Sequence, residues 1–80
     1  MSDSREILSK ERFNQKIGER IKEIRMEKGI SQSDLARLCD KDRQHIELIE
    51  NSKVNPNSYT IYLIANALEI SISEFYNWNK

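Results

Sequence analysis

The stretch from Gln32 to Asn51 constrains this chain more than any other, because it demands two short helices with almost no chain between them. Ser31 followed by Asp34 reads as a capping-box variant, with the serine oxygen accepting from the third helical N–H. Leu35, Ala36, Leu38 and Cys39 supply the inner stripe of the helix that follows. Asp40-Lys41-Asp42 is a turn, and Asp42 is a natural N-cap for a helix over Arg43–Asn51, whose Ile46 and Ile49 face inward. Two helices joined this tightly pack at a steep angle only if the side chains between them are small and correctly spaced. Ala36 is the small residue at the approach. Leu35, Cys39, Ile46 and Ile49 form the apolar wedge that sets the angle.

The rest of the chain reads as helices built around that pair. Phe13, Ile17, Ile21 and Ile24 recur at spacings of four, four and three, which stacks them on one face of a first helix. Lys16, Glu19, Arg20, Lys22, Glu23, Glu27 and Lys28 fill its other faces, and Gly29 is placed to end it in a left-handed cap. Its start falls near Ser9 or as early as Ser4, since Ile7 and Leu8 can extend it or form a loose arm or a partner contact. Asn51 to Asn57 is a polar loop with Asn55-Pro56-Asn57 as its turn signal. Ser58 then caps a fourth helix with Ile61, Ile64, Ala65 and Leu68 inward. Ser71 and Glu74 form an S-x-x-E box that opens a fifth before Phe75, Tyr76 and Trp78. The expected fold is all-α, a compact five-helix bundle. Residues 1–10 form an N-terminal extension that the first helix can absorb, and residues 11–80 form the domain.

Composition narrows the function. A chain of 80 residues builds one small core and buries roughly 60–65% of its unfolded surface, which leaves little room for a substrate pocket and lid. With 38% hydrophobic and 32% charged residues it is neither a disordered nor a membrane sequence. No apolar run approaches the roughly 20 residues of a membrane span, and the N-terminus lacks the pattern of a secretion signal, so a cytoplasmic location is expected. Cys39 and His45 are the only residues of their kinds, so no disulfide, no metal site and no cofactor is expected. A Cys–His nucleophile would need both groups exposed and in contact. Cys39 lies on an apolar stripe and reads instead as a packed, inert thiol. Thirteen basic groups balance 13 acidic ones, but residues 1–28 carry eight basic and six acidic groups and the remainder five and seven. Any anion-binding face must be locally basic on a neutral whole.

Residues 17–76 resemble the lambda-repressor-like, Cro/xenobiotic-response-element family of helix-turn-helix regulators. The matching residues are Ile17-Gly18, Arg25 before Gly29, Ser31-Gln32, Leu35-Ala36, Arg43, Ile46, Ile49-Glu50-Asn51, Lys53, Asn55-Pro56, and Ile64-Ala65 through Ala67-Leu68. The Asp42-Arg43 entry to the third helix is similar to restriction–modification controller proteins, and Gln44, Ile46-Glu47, Ile49-Glu50-Asn51 and Lys53 are similar to lambdoid phage repressors. Three residues depart from the family. Asp40 and Lys41 stand where the turn usually has glycine followed by an apolar residue, although aspartate tolerates left-handed geometry better than most. Ser52 replaces the glycine usual in the later loop.

The resemblance implies double-stranded DNA as partner, a homodimer and no enzymatic activity. Arg43, Gln44 and His45 would meet base edges in the major groove, where arginine suits guanine and glutamine suits adenine. Glu47 would cost affinity unless it accepts from a cytosine amine or pairs with a neighbouring cation that contacts a base. Gln32 would hold a phosphate at the start of the second helix, with Asn51 and Lys53 clamping the backbone on the other side. Arg25 and Glu50 are implied as an ion pair that sets where the third helix sits. Phe75, Tyr76 and Trp78 are hard to hide in so small a core, and form a dimer interface or else cap the monomer. The implied function is a transcriptional regulator on an inverted-repeat operator, with no small-molecule effector indicated. The alternatives are a protein-interaction adaptor that kept the fold but little DNA affinity, and the antitoxin of a toxin–antitoxin pair.

Overall fold

The structure is a computed structural model, and it describes residues 7–78. Helix α1 spans Lys10–Glu27, α2 Gln32–Leu38, α3 Arg43–Glu50 and α4 Ser58–Leu68, followed by a 3-10 segment over Ile72–Tyr76. Each start is fixed by a side-chain oxygen. Ser9, Ser31, Asp42 and Asn57 accept from the backbone N–H of Arg12, Asp34, His45 and Thr60 at 3.0, 3.0, 2.8 and 2.8 Å. These caps satisfy donors that the helices leave unpaired, each worth about 1 kcal/mol. Helix α1 therefore begins beyond Ser9, and residues 1–6 lie outside the described residues. Asn57, not Ser58, caps α4, because the asparagine sits one residue earlier in extended backbone with its carbonyl aimed at Thr60.

All four helices stop in the same way. A left-handed residue follows the last turn, and the next N–H folds back on a carbonyl five residues earlier. Ile30 donates to Arg25 at 3.2 Å, Lys41 to Ala36 at 2.8 Å, Lys53 to Leu48 at 2.8 Å and Ile70 to Ala65 at 3.0 Å. Gly29, Asp40, Ser52 and Glu69 occupy the left-handed positions with φ of 70°, 58°, 62° and 60°. Only the first is glycine; the other three hold a conformation that costs a residue with a Cβ roughly 1–2 kcal/mol. The tight joint between α2 and α3 is thus built without glycine.

The expected fifth helix is instead a short 3-10 segment, so the described residues form four α-helices. Its capping box does not close as a helical one would. Ser71 Oγ accepts from Ser73 rather than Glu74, and the Glu74 carboxylate turns away to Arg20 at 3.4 Å. Arg20 Nε also donates to the Glu74 carbonyl at 2.8 Å, so the segment is tied down onto α1.

The core is one cluster in which Ile21, Leu35, Ile46, Ile64 and Phe75 are fully buried. Phe75 therefore belongs to the core and not to an exposed interface; its ring fills the space between α1 and α4 that a short chain could not otherwise close. Two further expectations are corrected by burial. Leu38 points outward because α2 turns Cys39, not Leu38, toward α3, and Phe13 is 40% exposed at the rim. Phe13 stacks on Tyr76 at 6.1 Å and meets Trp78 edge-on at 5.8 Å. Among the described residues, no helix is long and apolar enough to cross a membrane.

Candidate nucleic-acid interface

The geometry of α3 begins with what it buries. Ile46 and Ile49 are buried beneath it, and Glu50, charged yet only 4% exposed, lies on the same underside. That carboxylate is held by Arg25 of α1, whose Nε and Nη2 donate to Glu50 Oε2 and Oε1 at 2.6 and 3.0 Å. Arg25 Nη1 also donates to the Ile30 carbonyl at 2.7 Å, so one guanidinium joins α1, the chain entering α2, and α3. A buried pair of this kind sets geometry more than it adds stability, because both ions give up water to form it.

Gly18 makes the approach possible. A Cβ there would lie 2.6 Å from the Ile49 carbonyl oxygen and 2.9 Å from that of Glu50. Helix α1 therefore meets the end of α3 backbone to backbone. Beyond that contact, Ser52 Oγ donates to the Asn14 carbonyl at 3.4 Å, and Asn14 Nδ2 donates to the Val54 carbonyl at 3.2 Å. These bonds stitch the loop after α3 onto α1, and the left-handed Ser52 carries the turn where glycine is usual.

With its underside anchored, α3 leaves the opposite face open. Arg43 and Gln44 are exposed at its first turn, with His45, Glu47 and Leu48 half-buried on its flanks. Asn51, the C-cap, and Lys53 are exposed past its far end. Gln32 is half-buried at the first turn of α2 and is not free: its Nε2 donates to Glu50 Oε1 at 3.1 Å, and its Oε1 accepts from Arg43 Nη1 at 3.1 Å. Arg43 Nη1 is also 3.7 Å from Glu47 Oε1. The structure thus brings Gln32, Arg43 and Glu47 together on the buried Arg25–Glu50 pair, with Gln44 beside them. Asn51 and Lys53 stand apart at the other end. Sequence reasoning missed the two hydrogen bonds of Gln32 and the role of Gly18. The first has no local signal; the second had one, a glycine inside a helical pattern.

Charge bounds the interface. The groove between α1 and the end of α3 is lined by Glu11, Gln15, Glu19, Lys22, Glu50, Asn51 and Ser52, with more carboxylates than cations, and is a poor seat for phosphate. On α2, Arg37 donates to Asp34 at 2.9 Å, and together with the Ser31 hydroxyl it holds the Asp34 carboxyl below the usual aspartate range. Cys39 is buried, its Sγ 3.1 Å from the Leu35 carbonyl it donates to, and burial pushes the thiol up. It is not a nucleophile in this state. Among the described residues no group of three metal-binding side chains occurs.

Comparison with known proteins finds the same fold. The helix-turn-helix family model HTH_3 matches residues 21–75. The immunity repressor protein of Bacillus phage phi105 is 37% identical over 57 residues, which is 71% of this chain and 40% of that protein. The chain spans less than half the length of the curated relatives it matches. The restriction-modification controller protein C.AhdI from Aeromonas hydrophila is similar with a TM-score of 0.75 and 36% identity, covering 76% of this chain and 92% of that one. The controller protein C.Esp1396I, solved as a tetramer in complex with its natural 35 base-pair operator, is similar with a TM-score of 0.75 and 38% identity over 80% of this chain and 84% of that one.

Proposed function

The chain belongs to the HTH_3 helix-turn-helix family of transcriptional regulators, a non-enzymatic family, and on that premise we propose that it is a homodimer that reads a short inverted repeat in double-stranded DNA. The observation that carries this reading is the exposed tip of α3. Arg43, tied to Gln32 through one nitrogen, and Gln44 are exposed while Ile46, Ile49 and Glu50 hold the helix from below. That tip enters the major groove, where Arg43 donates its fork to a guanine and Gln44 pairs with an adenine, with His45 at the edge of the contact. The second N–H of Gln32 Nε2 reaches a phosphate, and Asn51 and Lys53 hold the backbone beyond the other end of the helix. Occupying a promoter then blocks or recruits polymerase by position alone.

The homodimer forms through the rim that Phe13, Tyr76 and Trp78 make, where Phe13 and Tyr76 are 40% and 42% exposed and Lys16 Nζ lies 5.9 Å from the centre of the Trp78 ring. A two-fold pairing sets two copies of α3 about 34 Å apart, one turn of DNA. The operator-bound tetramer of the related C.Esp1396I supports an oligomer as the reading unit.

Balanced charge and Glu47 favour one rival, a protein-interaction adaptor with the same fold. Titration into mixed-sequence duplex at two salt concentrations separates them. A DNA reader loses affinity with salt at a log–log slope of about −0.9 per neutralised phosphate. No binding at low salt would favour the adaptor.

A further inference from the structure

On the reading of α3 as the DNA-facing helix, Glu47 sets a problem of charge. It puts a half-exposed carboxylate on a surface that must approach phosphates, one helical turn from the arginine that is to meet a base. We propose that Glu47 is a specificity-determining residue, acting with Arg43 as a charge-balanced couple that selects a guanine and, within one or two base pairs of it, a cytosine.

The position of Arg43 is dictated from below. Glu50 only accepts hydrogen bonds, and Arg25 already holds both of its oxygens. Gln32 must therefore turn its amide nitrogen toward Glu50, which leaves its carbonyl facing outward. Arg43 only donates, so it is the partner that this carbonyl requires, at 3.1 Å. The alternation of donor and acceptor runs unbroken from the buried pair to the helix tip and allows no flipped amide. Gln32 is thus a positioning residue for Arg43, whose remaining N–H groups are left to meet guanine O6 and N7.

Glu47 lies by the same guanidinium nitrogen, Nη1, that bonds Gln32. At 3.7 Å the two are an ion pair without a hydrogen bond, so the carboxylate steadies Arg43 while keeping its oxygens for an incoming donor. It lies four residues on, about 6 Å along the helix axis, which spans one to two base steps. Guanine and thymine present only acceptors or a methyl in the major groove, and adenine sets its N7 acceptor beside its amine. Cytosine offers its N4 amine without an acceptor of its own, so it is the base a carboxylate prefers there. On any other sequence Glu47 faces acceptors and phosphates and repels them. Specificity then arises as much from weakened binding to wrong sites as from contact with the right one.

Selection of bound fragments from a random duplex pool tests this in wild type, Glu47→Ala and Glu47→Gln. Each protein is then titrated into the selected operator and into mixed-sequence duplex. Wild type should enrich half-sites with a guanine and a cytosine one or two base pairs apart. Glu47→Ala should lose the cytosine preference, bind mixed-sequence duplex more tightly, and show a specific-to-non-specific ratio about tenfold smaller. Glu47→Gln should move the preference at that pair from cytosine to adenine. Since Glu47 is half-exposed, both variants should keep wild-type helix content, checked by circular dichroism. Unchanged cytosine preference and an unchanged ratio in both variants would overturn the role of Glu47 while leaving DNA reading intact. A wild-type protein that binds no duplex at low salt would instead overturn the DNA reading itself, and this role with it.

Discussion

Replacing Gly18 by alanine sets two effects of opposite sign against each other. Alanine is the better residue in a helix interior, and on an open face the change would stabilise the chain by about 0.5–1 kcal/mol. Here the added Cβ would lie 2.6 and 2.9 Å from two backbone oxygens of α3, and 3.1 Å from Ser52 Oγ. The hydroxyl can rotate away, but the carbonyls cannot, so α1 and α3 must part by most of an ångström. That opens the seam packed by Ile17, Ile21, Ile46 and Ile49 and stretches the Arg25–Glu50 pair across it. Overpacking of this kind costs about 1–3 kcal/mol, which set against the propensity gain leaves a net loss of about 1 kcal/mol, at most about 2.5. For a domain of this size each kcal/mol lowers Tm by about 4–8 °C, so the drop should be roughly 5–10 °C. Thermal unfolding followed by circular dichroism reads it directly, with Ser33→Ala on the exposed side of α2 as a control. A Gly18→Ala protein as stable as wild type, or more so, would refute the close approach of α1 to α3.

Three other outcomes follow from the same packing. Arg25→Met leaves the Glu50 carboxylate buried without its cation and should cost about 3–5 kcal/mol, seen as a lower urea midpoint; Arg25→Met with Glu50→Leu should recover much of that loss. Glu69→Gly relieves a left-handed residue at φ 60° and should raise Tm, by up to about 1 kcal/mol of stability once the greater freedom of unfolded glycine is set against the relief. A lower Tm would mean that the Glu69 side chain contributes more than its backbone strain costs. Trp78→Ala should weaken self-association in sedimentation velocity with little change in helix content, and an unaltered oligomeric state would remove the C-terminal rim from the dimer interface.

What could be read before any coordinates were those features that depend on neighbours in sequence. Apolar spacing of three and four marks α1 and α4, and Ser31 and Asp42 mark the starts of α2 and α3, because capping is settled within one turn. The left-handed position of Asp40 is legible only through the resemblance, in which glycine usually stands there. Leu38 misled because a seven-residue helix is too short for its period to distinguish adjacent inward positions, and only the angle to α3 decides that Cys39 goes inside. The C-terminal segment misled because a Ser-x-x-Glu pattern fits a helical box, whereas Arg20, far away in sequence, captures the Glu74 side chain. Phe75 reads as surplus in a list of aromatics, yet the cavity it fills exists only once α1 and α4 are in place. Gln32, by its place at a helix start and the resemblance, reads as a phosphate contact. Its bonds to Glu50 and Arg43 depend on the crossing of α2 and α3, which no local pattern records.

The claim that the tip of α3 reads DNA is tested most directly by titrating duplex into isotopically labelled protein at low salt and following each backbone amide by NMR. The shifts should concentrate at Gln32, along Arg43 to Glu47, and at Asn51 and Lys53, while Tyr59 and Tyr62 on the outer face of α4 stay still. Shifts gathered on α4 with α3 unmoved, or none anywhere, would contradict it.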